Sequence, residues 1–192
     1  LLNYLWPLLI VVFAGFLPGV RIRPLQWIGT GLGLAAAILL VSGGQRLAVS
    51  ASHLPGYLAA ITAAVVWAAY SVLNRRHAQV PSAAITVACV GVAVLGALAH
   101  LAIETTVAPT PLQWSALLLM GIGPTGAAFW LWDTGTKRGD IALLGSLSYL
   151  APLLSTALLV LSGRVQPHPV QAMALALLLA GAWLSTRSRR QG

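Results

Sequence analysis

Long apolar runs alternate with short polar or helix-breaking interruptions along almost the whole chain. A membrane-spanning helix needs about 20 mostly apolar residues, and the sequence supplies seven such stretches, at about 1 to 20, 25 to 43, 55 to 76, 82 to 103, 111 to 136, 140 to 162 and 168 to 186. Arg, Pro, Gly and Ser punctuate them. The pattern predicts an all-α polytopic membrane helix bundle. Composition agrees: of 192 residues, 58% are hydrophobic and 7% charged, against roughly 25% charged in an ordinary soluble domain. A soluble globular protein is thereby excluded.

Charge orients the spans. The formal charge of +8 would suggest a nucleic-acid partner in a soluble chain. Here the bases sit in short clusters between apolar runs, and no nucleic acid is expected. The connections carry Arg21 and Arg23, then Arg46, Arg75 and Arg76, Glu104 alone, Lys137 and Arg138, Arg164, and last Arg187, Arg189 and Arg190. Alternate connections collect nine of the eleven bases on one side, which the positive-inside rule makes cytoplasmic. The C-terminus is therefore expected inside. Cys89 is the single cysteine, so no intrachain disulfide or Cys-rich metal site is possible; neither metal nor cofactor is expected.

An internal repeat sets the organisation. Leu2-Asn3-Tyr4-Leu5-Trp6-Pro7-Leu8-Leu9 returns as Leu147-Ser148-Tyr149-Leu150-Ala151-Pro152-Leu153-Leu154, an offset of 145 that also pairs Pro24 with Pro169 and Gln26 with Gln171. Spans one and two thus correspond to spans six and seven. Five spans separate equivalents, an odd number, so the two copies run in opposite directions, as in many secondary transporters. The second copy is expected to occupy residues 52–192 with five spans, and residues 1–51 the last two spans of the first. On this reading three further spans, on about 90 to 100 residues, precede Leu1. The whole would be an inverted five plus five repeat, with seven of ten helices in this chain.

The Asn3-Tyr4-Leu5-Trp6-Pro7 run, the Pro24-Leu25-Gln26-Trp27 helix start, and the stretch from Trp130-Leu131-Trp132-Asp133 to Lys137-Arg138-Gly139-Asp140 resemble the EamA-type drug/metabolite transporter superfamily. Within it, the first run is most similar to the bacterial aromatic amino acid exporters. The resemblance implies a ten-helix carrier of the bacterial inner membrane with both termini cytoplasmic and a substrate cavity between inverted halves. The segments above are then EamA repeats.

Several residues are candidates for that cavity. Pro7 and Pro152 are equivalent mid-span prolines that would free the carbonyls of Asn3 and Ser148, and hydrocarbon tolerates such groups only where protein or a wet cavity satisfies them. A third break is expected at Pro124, among Gly121, Gly123 and Gly126. Trp67, Tyr70, Ser71 and Asn74 recur at i, i+3, i+4 and i+7 on one helical face. With Tyr4, Trp6 and Tyr149 they form a set of mid-membrane rings and polar groups suited to an aromatic solute. Asp133 is the acid clearly embedded in a span, four residues before Lys137. A local ion pair is its structural reading, and a gate or coupling carboxylate its functional one. Gly29 and Gly33 have the spacing of helix packing.

The reading favoured is a secondary transporter, not an enzyme, exporting small amphipathic metabolites, aromatic amino acids foremost, by alternating access. Its partners are that small-molecule substrate and the lipid bilayer, and a monomer is the expected working unit. The alternative is an intramembrane serine hydrolase using Ser146 or Ser148, which would need a base within hydrogen-bond reach. The four histidines, His53, His77, His100 and His168, fall in connections or near span ends.

Overall fold

A computed structural model describes residues 2–43, 51–164, 166 and 168–190, and only the backbone of residues 41, 51 and 185–190. Arg46 therefore lies outside the described residues, as do the side chains of Arg187, Arg189 and Arg190. All regular structure among the described residues is helical: α1 (Trp6–Ala14), α2 (Pro24–Ser42), α3 (Leu54–Asn74), α4 (Ile85–Ile103), α5 (Pro111–Met120), α6 (Ala128–Arg138), α7 (Ile141–Leu147), α8 (Leu150–Leu161) and α9 (Pro169–Arg190). These build seven apolar rods in the predicted order. Four of them, Leu54–His77, Ser82–Ile103, Pro111–Arg138 and Ile141–Leu161, are long and apolar enough to cross a membrane, and Leu2–Ala14, Pro24–Leu40 and Pro169–Leu184 are shorter. The first rod ends before the expected limit of residue 20, because Gly15, Pro18 and Gly19 follow and Gly19 takes a φ of +77°.

Three helix starts share one sequence device. Each of α2, α5 and α9 begins with proline, whose missing N–H would be unpaired there anyway. Two residues later a glutamine reaches back. The backbone N–H groups of Arg23, Thr110 and His168 donate to the side-chain oxygens of Gln26, Gln113 and Gln171 at 2.9, 2.8 and 3.1 Å. One bond of a capping box is thus formed at each start, and at α5 the Thr110 hydroxyl completes the box by accepting from the Gln113 N–H at 3.4 Å.

The chain divides into two compact units, residues 1–73 with 140–192, and residues 74–139. In the first, α2 and α9 pack closely through small residues. A Cβ on Gly181 would fall 2.6 Å from the Gly29 carbonyl oxygen, while Ala36 and Ala37 share a buried cluster with Ala174, Leu178 and Tyr149. As numbers rise along α2 the partners fall along α9, so the two helices are antiparallel. The repeat offset carries Gly29 to Ala174 and Ala36 to Gly181, so each contact is the image of the other. In the same unit α7 rests on α1, where Gly145 faces Ile10 and the Pro7 carbonyl.

The prolines lie where backbone geometry already changes. Leu2–Leu5 form a 3-10 turn and α1 begins at Trp6. Pro7 is therefore in the first turn of a helix, where no N–H is needed. Pro152 likewise occupies the first turn of α8, after a break at Ser148 and Tyr149. The Ser148 carbonyl is not left free: it accepts from the Ala151 N–H at 3.1 Å. Pro124 sits in a π-helical segment, Gly121–Ala127, which keeps the rod from α5 to α6 continuous.

In the second unit α4 and α5 contain no buried residue. Their leucine and valine faces suit hydrocarbon.

Packing at the glycines gives a direct test. Gly181→Ala should lower stability by about 1 to 3 kcal/mol through overpacking, because its new methyl meets main chain. Gly33→Ala should do so as well, since a Cβ there would fall 2.4 Å from the Tyr149 ring. Gly31 has nothing within 4 Å, so Gly31→Ala should leave the thermal midpoint of the detergent-solubilised protein unchanged or raised.

Candidate functional site

Aromatic rings meet in the first unit. Trp6, at the start of α1, stands edge-on to Trp67 of α3, with centroids 6.4 Å apart and planes at 88°. Tyr70, one turn further along α3, tilts at 40° to Trp67 with centroids 5.5 Å apart. All three are half-buried. Ala64, Ala68, Ser71 and Val72 form the buried side of α3. Ser71 is fully buried there, its hydroxyl donating to the Trp67 carbonyl at 2.8 Å. The rings of Trp67 and Tyr70 lie beside that buried stripe.

Other members of the predicted set are placed differently. Tyr149 is fully buried against Gly33 in the α2–α9 cluster, and Tyr4 packs on the same cluster. Asn3 is exposed. The Ser148 hydroxyl donates to the Leu144 carbonyl at 2.6 Å, the usual fate of a serine inside a helical turn. These four side chains do not join the Trp6–Trp67–Tyr70 group. Pro124 is exposed, and the Thr125 hydroxyl beside it donates to the carbonyls of Met120 and Gly121 at 3.0 and 2.9 Å.

Asn74 belongs to the second unit, and its amide turns to α6. It donates to Asp133 Oδ1 at 2.8 Å and to Thr136 Oγ1 at 3.1 Å. The i, i+4 pair is present, with Lys137 Nζ 2.7 Å from Asp133 Oδ2 and each side chain 5% exposed. Lys137 also donates to the Val80 carbonyl at 2.8 Å. Sequence reasoning missed Thr136 and Val80. The Thr136 position, one turn from Asn74's other partner on α6, was a local signal; the Val80 carbonyl carried none.

A cavity of about 380 Å3, lined by Val107, Pro109, Gln113, Ala116, Leu117 and Met120, contains none of the predicted residues. Among the described residues no group of three His, Cys, Asp or Glu could hold a metal.

Ser146 is buried. Its hydroxyl lies 2.8 Å from the Thr30 oxygen and 3.1 Å from the Ala142 carbonyl, and its one proton is donated to either of these acceptors. Thr30 in turn donates to the Gln26 carbonyl at 2.7 Å. This is helix-to-helix bonding between α2 and α7, with no base in the network.

Seven apolar rods, with an antiparallel pair of equivalent helices at the centre of one unit, define a polytopic helical membrane protein. The sequence profile of the EamA-like transporter family matches residues 54–187, and the chain belongs to that family. It is 47% identical over 194 residues to the aromatic amino acid exporter YddG of Ancylobacter novellus, covering 100% of this chain and 67% of that protein. It is 27% identical to the proteins of that name from Salmonella typhimurium and Escherichia coli, covering 98% and 97% of this chain and 67% of each relative. A solved crystal structure 46% identical in sequence superposes with a TM-score of 0.93, over 96% of this chain and 66% of that one. The chain spans about two thirds of the length of these relatives.

The Ser146 environment predicts its reactivity. A fluorophosphonate probe should leave Ser146 unmodified in the folded protein, as read by intact-mass spectrometry. Stoichiometric labelling would require a base that the described network lacks.

Proposed function

We propose that this chain is part of a secondary transporter of the bacterial inner membrane that exports small amphipathic metabolites, aromatic amino acids foremost, by alternating access. The observation that carries the substrate class is the Trp6–Trp67–Tyr70 group, whose rings already meet edge-to-face and tilted. A bound aromatic ring can join such a group by the same offset and edge contacts. The relatives, aromatic amino acid exporters by name, point the same way. The antiparallel α2–α9 pair supports a five plus five inverted repeat, and the distribution of Lys and Arg supports a cytoplasmic C-terminus.

Pro7 has a positional role in this reading. It directly follows Trp6 and belongs to the first turn of α1, where the 3-10 turn becomes α-helical. That change of register sets the angle at which the Trp6 ring meets Trp67. Ser146 hydrolase chemistry finds no support in the geometry, and the reading drops it.

The test is efflux of radiolabelled phenylalanine, tyrosine and tryptophan from proteoliposomes containing the full-length carrier, with and without a pH gradient, against an aliphatic amino acid as control. Saturable, aromatic-selective efflux is expected. Non-selective leakage equal to protein-free vesicles would defeat the proposal. Trp67→Ala should raise the half-saturating concentration by about 2- to 12-fold, the equivalent of the 0.5 to 1.5 kcal/mol carried by one ring contact. Pro7→Ala should lower transport without loss of folded protein, and Pro152→Ala, its repeat mate, should act in the same direction. Rates near wild type for both proline variants would assign the breaks to packing alone.

A further inference from the structure

The polar cluster on α6 is more extensive than an i, i+4 ion pair. Asp133 and Lys137 are both nearly sealed from solvent, and each oxygen of the carboxylate has its own partner. Oδ2 faces Lys137 and Oδ1 accepts from Asn74. Lys137 reaches on to the Val80 carbonyl, and the Thr136 hydroxyl donates to the Asp133 carbonyl at 3.0 Å. Two further bonds flank the cluster. Ser82 and Thr134 share one of 3.2 Å, and Arg75 donates to the Gly139 carbonyl at 2.9 Å. The C-terminal end of α3, the connection to α4 and the end of α6 are thereby tied by side chains, all within the second unit.

A buried pair of this kind contributes little net stability, because desolvation offsets attraction, yet removing one partner strands the other charge. What it fixes is geometry. A carboxylate that carries protons through a transport cycle has to exchange its partners, whereas both oxygens of Asp133 are held by groups of its own unit.

We propose that Asp133, Lys137 and Asn74 form a latch that makes these three segments one rigid body during the conformational cycle, with Asn74 as the residue that positions Asp133. The functional half rests on the transporter reading, and the structural half rests on the geometry alone. Rocking of one repeat against another transmits motion only if each piece is internally stiff. The latch supplies that stiffness at the α3–α4 connection, together with the Ser82–Thr134 and Arg75–Gly139 bonds that flank it.

The test compares Asn74→Ala, Lys137→Met and the double variant Asp133→Asn/Lys137→Gln with wild type, in the same proteoliposomes and by amide hydrogen exchange. Each single variant should lower the maximal efflux rate by about fivefold or more, with the half-saturating concentration within about twofold of wild type. Exchange should quicken across residues 75–84 and 133–139. The neutral double variant keeps donors and acceptors in place, and it should recover more than half of the rate and the protection. If the double variant recovers protection but no transport, the charges themselves drive the cycle and the latch is overturned. Unchanged exchange in Asn74→Ala, which leaves the ion pair intact and is the mildest substitution, would also overturn it. Should wild type export no aromatic amino acid, the exporter reading fails, and exchange alone still decides the latch.

Discussion

Hydrocarbon offers no hydrogen bonds, so every main-chain carbonyl within a span has to find its donor inside the protein. This chain places prolines within its spans and meets the demand in two ways. At Pro7 and Pro152 the helix stops and restarts, so that the proline falls in a first turn where its N–H is superfluous. At Pro124 the helix widens instead of breaking. A π turn pairs each N–H with the carbonyl five residues back, as Ala128 does with Gly123, and Thr125 adds its hydroxyl to the carbonyls beside the proline. The first solution redirects side chains, Trp6 among them, and the second preserves a continuous rod.

The same constraint shapes the contacts between helices. Thr30, Ser146, Ser148 and Ser71 each return their hydroxyl proton to helix carbonyls or to one another. Polar side chains in the first unit therefore serve packing, and the half-buried rings of Trp6, Trp67 and Tyr70 meet one another beside them. In the second unit the polar groups are charged and joined across three segments. The two units use polarity differently, one to close helices and the other to bind segments together.

Span number and order were legible because hydropathy is a local property of about 20 residues, and the Pro-x-Gln starts at residues 24, 111 and 169 marked helix ends. Trp67 and Tyr70 were legible as neighbours from i, i+3 spacing alone. Asn74 was not: seven residues beyond Trp67 it shares that face by angle, but it is the last residue of α3, and its partners are on α6, about 60 positions on. No periodicity within one helix encodes such a choice. Tyr149 repeats Tyr4 in sequence, yet the glycine at position 33 admits the one ring into the core. Equivalence of sequence did not make the environments equal.

The crossing of α2 and α9 carries that inequality further. The repeat exchanges Gly29 with Ala174 and Ala36 with Gly181, so one end of the crossing has two bare glycines and the other two methyl groups. Backbones meet at the glycine end, where even one added carbon would touch the Gly29 carbonyl, and buried side chains fill the alanine end. The two ends of the crossing therefore present unlike surfaces to each other. The two copies are thus made unequal by four small residues, two of which pack in the cluster of the buried Tyr149 ring.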